Sequence, residues 1–344
     1  MAQTTQLQTS IVIPTYNRPW KLQRAVRYYA QHGIPIFVAD GSPSPCTLPL
    51  EGDVSYFQLP SLEAIERISK VIDKTSTPYA CIAADDDFIS PNFLENACRI
   101  MDSDRSISTV FGRCYSFEEK KPAKWREIYG YARSVDQDDF RDRLSSFFGR
   151  YYPIFYAPTR TNLIKETFDS LPRLPIKYSN MMELLHGARL ATAGKILVLN
   201  NFYLARESAV VYMTGLLYPR VQEILKESPD LCVTANNLLA RWTGSSEDEI
   251  FSKYIMKPYD ECCSGMRKKS IPSKIKAKVR DLLGEDRTDK LKKILPFLVK
   301  KPIFKAASDF EFENFLLEIE RIVLRSLQDE ERAITEGEFR CASS

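Results

Sequence analysis

The sequence predicts an α/β fold: a mostly parallel sheet flanked by helices, followed by a mainly helical C-terminal region. Three observations carry this. Short β-branched and aromatic runs alternate with amphipathic stretches through residue 117. The apolar runs end in polar clusters, as strands do when they feed a binding edge. Beyond about residue 213 the strand-like runs fade into charged, helix-patterned sequence. The expected division is therefore 1–212 and 213–344.

The elements follow in order. Residues 10–14 (SIVIP) and 34–40 (IPIFVAD) read as strands around a helix in which Leu22, Ala25, Val26 and Tyr29 recur at helical spacing and Gly33 supplies the stop. A Pro- and Ser-rich loop, 42–49, leads to a strand at 54–59. The next helix places Leu62, Ile65, Ile68 and Ile72 on one face and runs into the strand YACIAA at 79–84. Ser90 and Pro91 form an N-cap and first-turn pair that opens a helix to about Met101. A strand is expected at 107–117, a helix capped by Asp136, the aromatic stretch RYYPIFYAPTR at 150–160, a helix near 178–193 and a strand at 195–207.

The chain has 344 residues, with 48 basic against 45 acidic side chains, a formal charge of +3. Bulk electrostatics therefore does not call for nucleic acid, and no nucleic-acid partner is expected. The eight cysteines lack C-x-x-C spacing, and the two histidines, His32 and His186, leave little material for a Ser-His-Asp or Cys-His mechanism. His186 reads as structural. No run of about 18 apolar residues occurs, so a cytoplasmic protein is expected. The segment 267–305 holds 14 Lys or Arg against 4 acids around the apolar ILPFLV. It reads either as a solvated face paired with the acidic stretch 309–320 or as a peripheral contact with an anionic inner membrane face.

Asp85, Asp86 and Asp87 directly follow the apolar strand YACIAA. Three carboxylates at a strand end need hydration or a counter-cation, since ionising them together in a partly dry cleft would raise at least one pKa. Aspartate oxygens without His or Cys suit a hard divalent ion, Mg²⁺ or Mn²⁺, whose other positions phosphate oxygens commonly fill. The competing reading is a solvated acidic loop before the helix at Pro91.

Three motifs stand together at successive strand ends: IVIPTYNRP (11–19), VADGS (38–42) and AADDDFISP (83–91). In order and spacing they resemble the GT-A nucleotide-sugar transferases, in particular the inverting family 2 glycosyltransferases, over about residues 8–210. The resemblance implies a GT-A fold, a nucleotide-diphospho-sugar donor, a divalent metal and a glycan or lipid-linked glycan acceptor. It gives Pro14, Thr15 and Tyr16 the lining of the nucleoside pocket and Asp40 a hydrogen bond from the base. It brings Asp85 to the ribose or donor sugar and makes Asp86 the principal metal ligand. Ala84 stands where the commonest pattern has an aspartate, so either Asp85 or Asp87 supplies the second carboxylate.

Inverting transfer needs one general base for the acceptor hydroxyl and stabilisation of the departing diphosphate. The resemblance assigns the base to Glu183, with Met182 replacing the acid that commonly precedes it; the plainer reading is a first-turn glutamate favouring the helix dipole. Arg206 is expected either to face the diphosphate with its fork of donors or to form a surface salt bridge. Arg67 is a weaker phosphate or base contact. The rings of 150–156 read as core or as an acceptor platform. The alternative function, motivated by Ala84 and Met182, is a catalytically inactive GT-A-like sugar- or nucleotide-binding module. No G-x-G-x-x-G or P-loop pattern is present, which excludes dinucleotide and P-loop enzymes.

Overall fold

The computed structural model describes residues 8–119, 121–174, 179–207, 230–269 and 309–335. Its first part is a run of alternating elements: β1 (Thr9–Thr15), α1 (Pro19–Ala30), β2 (Ile36–Asp40), β3 (Val54–Gln58), α2 (Ala64–Ile72) and β4 (Tyr79–Ile82). The second part holds β5 (Asp87–Ile89), α3 (Pro91–Ser103), β6 (Ile107–Glu118), β7 (Lys121–Ile128), α4 (Phe140–Phe148), β8 (Thr159–Arg160), α5 (Thr161–Ser170), α6 (Ser179–Ala193) and β9 (Lys195–Glu207). The nine strands form one sheet in the order β3-β2-β1-β4-β8-β6-β9-β5, with β7 paired to β6.

The fold class expected from the sequence is the one observed, with a sheet that is parallel in one half and mixed in the other. Pairs β1–β2, β2–β3, β1–β4 and β6–β9 are parallel. Pairs β4–β8, β6–β8, β5–β9 and β6–β7 are antiparallel. β5 and β8 have three and two residues, too few to display a period of two.

The topology fixes where a ligand can sit. β1 continues against β2 as far as Thr15↔Asp40, whereas its pairing with β4 stops at Val12↔Ile82. Pro14 is tolerated inside this central strand because it lies past the end of β4, where its missing N–H is not needed on that side. From β1 the chain goes to β2 on one flank and later to β4 on the other. The crevice beyond the ends of β1 and β4 is therefore the topological switch point of the sheet.

Local chemistry sets the helices. Pro19 is the first residue of α1, and Gly33, at φ 66°, follows its end. Ser90 caps α3 by accepting the Phe93 N–H at 3.4 Å, with Pro91 at the first helical position, as the sequence implies. α2 starts two residues later than its apolar pattern because Glu63 and Glu66 form a capping box. The expected cap at Asp136 is corrected: α4 is capped by Asp139, whose carboxylate accepts the Arg141 N–H at 2.7 Å. Ile11, Val12 and Ile13 of β1 are buried with Leu22 and Val26 of α1 and Ile68 and Ile72 of α2. Each such side chain contributes roughly 1.5–3 kcal/mol on burial.

The later helices, α7 (Leu231–Thr243), α8 (Lys257–Lys269) and α9 (Asp309–Thr335), follow the sheet. α7 packs on α6, α8 on α4, and α9 on α1 and β7. Arg27 of α1 pairs with Asp329 at 3.2 Å, and His32 with Glu318 at 2.8 Å. The boundary expected at 212/213 lies outside the described residues, as does the basic segment after Lys269. No helix among the described residues is long and apolar enough to cross a membrane.

Candidate active site

The switch-point crevice brings the first and third sequence motifs into contact. Thr15, at the end of β1, donates its hydroxyl to Asp85 Oδ2 at 2.7 Å. Asn17 takes φ 53°, a left-handed conformation that asparagine tolerates, and donates its N–H to Ser42 Oγ at 2.9 Å. The chain thereby turns Arg18 back across the crevice. The Arg18 guanidinium donates to Asp85 Oδ1 at 2.7 Å with one arm and to Asp86 Oδ2 with the other. Arg18 is 40% exposed, Asp86 18% and Asp85 2%. Burial pushes the Asp85 carboxyl up to about 6, with Arg18 opposing the rise. Tyr16, next to Thr15 in the chain, is 54% exposed; Pro14 is half-buried in β1.

Asp87 is not part of that cluster. It opens β5, opposite Arg206 of β9 in the ladder. Its Oδ1 accepts the Glu207 N–H at 3.1 Å, and its Oδ2 faces Arg206 Nε at 3.8 Å. Burial drives its carboxyl well above the ordinary range, against the pull of Arg206. Among the described residues no three His, Cys, Asp or Glu side chains are grouped to hold a metal. Of the two candidates for the second carboxylate, Asp87 is engaged by Arg206 and the Glu207 N–H, whereas Asp85 shares the Arg18 guanidinium with Asp86. Asp85 and Asp86 fit a hard cation by donor type: both supply carboxylate oxygens, Asp85 from a buried position and Asp86 from a partly exposed one, and the Arg18 guanidinium already bridges them as a stand-in positive charge. With diphosphate oxygens and water completing the shell, one or two carboxylates suffice for Mg²⁺ or Mn²⁺.

Arg206 links Asp87 to the opposite wall. It donates to the Tyr129 hydroxyl at 3.0 Å and lies 5.8 Å from the centre of the Tyr156 ring. Tyr129 is held at φ 59°, a conformation costing on the order of 1–3 kcal/mol for a residue with a side chain. Burial lifts the Glu183 carboxyl above the ordinary glutamate range, and the Arg206 charge opposes it. Arg206, 32% exposed, is thus a hub for Asp87, Tyr129 and Tyr156, and its charge also acts on Glu183. The 150–156 rings resolve toward core: Tyr151, Tyr152 and Phe155 are buried.

At the β2 end, Asp40 is caged. Its Oδ1 accepts the Ser42 N–H at 2.7 Å and the Ser42 hydroxyl, and its Oδ2 accepts the Tyr56 hydroxyl. Most of its bonding capacity is spent on ordering the 40–42 turn, which differs from the expected open acceptor for a base. The Arg67 guanidinium lies on that turn: a Cβ at Gly41 would stand 2.4 Å from Arg67 Cζ. Arg67 Nη1 donates to the Leu62 carbonyl at 2.6 Å, while its Nε is buried without a partner.

Sequence reasoning missed Arg18, Tyr56, Tyr129 and a buried charge cluster behind β5. In that cluster Glu207 is held by Lys21 and Arg24 of α1, and both cations also reach Glu119 at 3.2 Å. Arg18 had a signal, since it sits inside the first motif; Arg24 had one too, as a cation on the apolar face of α1. His186 is a core residue between Phe155 and Phe168, its burial lowering it to about 3.

No protein-family model matches the chain, and no curated protein matches it in sequence. Among solved structures, residues 1–349 of S. aureus TarS are similar, with a TM-score of 0.51 at 14% identity over 96% of this chain and 91% of that one. The same segment in complex with UDP-GlcNAc gives a TM-score of 0.46 at 14% identity, covering 96% of this chain and 92% of that one. At this identity the likeness is one of fold. It defines the class as an α/β protein of GT-A-like architecture.

Proposed function

We propose that the protein is a glycosyltransferase that moves a sugar, with inversion, from a nucleotide-diphospho-sugar to a hydroxyl of a glycan or lipid-linked glycan. The observation that carries this reading is the meeting of Thr15 and Arg18 from the first motif with Asp85 and Asp86 from the third at the switch point of the sheet. Open α/β sheets bind nucleotides at this place.

In this reading the exposed Tyr16 ring stacks on the base, and Pro14 and Thr15 shape the nucleoside wall. Arg67, whose Nε has no internal partner, donates to the base or a phosphate. Asp85 is close to the ribose or the donor sugar. A divalent cation held by Asp86, with Asp85, would offset the diphosphate charge. Glu183 takes the proton of the acceptor hydroxyl as its oxygen bonds to the anomeric carbon. The bond to the diphosphate breaks on the opposite face, and the electron pair leaves with the nucleoside diphosphate. Arg206 opposes the burial that raises Glu183 and faces the diphosphate from the acceptor side. The reaction runs in the cytoplasm, with the basic run 267–305 meeting an anionic membrane when the acceptor is lipid-linked.

A thermal-shift screen against nucleotide sugars, with and without Mn²⁺, tests the reading, because a ligand that binds only the folded form raises its stability. One nucleotide family should raise the midpoint, and its sugar derivative should be hydrolysed slowly. Binding without any hydrolysis or transfer would favour the inactive binding module instead.

A further inference from the structure

We propose that Arg18 is a built-in counter-cation that competes with a divalent ion for the Asp85–Asp86 pair, and that it must release these carboxylates before the ion is held. This rests on the nucleotide-sugar reading of the crevice, but it concerns how the site is charged before a donor arrives.

The geometry is that of two alternatives for one position. Arg18 spends one arm on each carboxylate, reaching Asp85 Oδ1 at 2.7 Å and Asp86 Oδ2, while Thr15 occupies the second oxygen of Asp85. A hard cation takes carboxylate oxygens at about 2.0–2.6 Å, and a guanidinium held on the same two oxygens would repel it at close range, so the two cations compete for the pair. Arg18 is also built to leave. It precedes α1 as its N-cap residue, without a side-chain capping bond, and its side chain is 40% exposed. Arg24, six residues further on, is 1% exposed and fixed by Glu207 and Glu119. Once displaced, Arg18 stays at the crevice mouth with its fork free, a geometry matched to diphosphate oxygens. The exchange keeps the nearly buried Asp85 paired in the empty site and delays ion binding until a nucleoside diphosphate supplies further ligands.

The test is Mn²⁺ binding without nucleotide, read from the electron paramagnetic resonance signal of the free ion, at alkaline pH, on full-length wild type, Arg18→Ala and Arg18→Gln. Circular dichroism checks that each variant is folded. Loss of the competing charge should tighten Mn²⁺ binding by about tenfold or more, the scale of one or two charge-assisted hydrogen bonds. The gain should vanish when Asp86→Ala is added. Nucleoside diphosphate should tighten Mn²⁺ binding by wild type more than by Arg18→Ala. Unchanged or weaker Mn²⁺ binding by both folded Arg18 variants would overturn the proposal, as would a gain that survives Asp86→Ala. Donor hydrolysis is followed on the same samples. Hydrolysis that persists with unchanged Mn²⁺ affinity overturns the Arg18 proposal alone. A wild type that binds no nucleotide sugar overturns the transferase reading.

Discussion

At the scale of single residues, the proposed transfer turns on Glu183. Burial raises its carboxyl and Arg206 restrains the rise, which makes it more basic than an exposed carboxylate. Glu183→Gln should preserve donor affinity and lower transfer by about 10²–10⁴-fold, the usual contribution of a general base. The base form is the active one, so wild-type kcat/KM should fall as pH drops through the raised pKa, above the ordinary glutamate value of about 4.3. The sign for stability is opposite. The unfolded chain loses this proton first, so ionising Glu183 costs stability as pH rises between the two pKa values. Glu183→Gln should therefore unfold at equal or higher urea concentration than wild type at neutral pH. A variant that loses donor affinity along with rate, or a pH profile without the acid limb, would remove Glu183 from the role of base.

At the scale of elements, the site is held by charge as much as by packing. Lys21 and Arg24 of α1 clamp Glu207 at the end of β9, and the Glu207 N–H in turn fixes Asp87. Arg24 and Glu207 are 1% and 6% exposed. Removing one partner of a buried pair costs about 3–5 kcal/mol, because the other charge stays buried. Arg24→Ala should lose stability of that order in urea unfolding and shift β9 with its Arg206. A loss under about 1 kcal/mol would mean that Lys21 alone satisfies Glu207. The strands and helices around this clamp were legible from the sequence where runs were long enough to show a period: β1, α1, β2 and α3 with its Ser90–Pro91 start. The cluster itself was not legible, because Glu119 and Glu207 lie 95 and 183 residues from Arg24 and meet it only through the pairing of β5, β6 and β9.

At the scale of the whole molecule, the sheet order explains both what the sequence conveyed and what it concealed. The strand-end motifs converge because β1 and β4 are parallel neighbours with a switch of direction between them. That much follows from alternating strands and helices. Three adjacent aspartates, however, look like one group on paper. Asp85 and Asp86 occupy a turn, while Asp87 enters a strand paired with β9 and is spent on Arg206 and Glu207. Asp40 likewise looked like a free acceptor, and only the fold brings Tyr56 of β3 onto it.

The most direct measurement of the central claim is nucleoside diphosphate release from a panel of nucleotide sugars, by wild type and by Asp86→Ala, with Mn²⁺ present. Wild type should release the nucleoside diphosphate from at least one donor, and the folded Asp86→Ala variant should release essentially none. Equal release by both proteins, or no release from any donor that wild type binds, would contradict it.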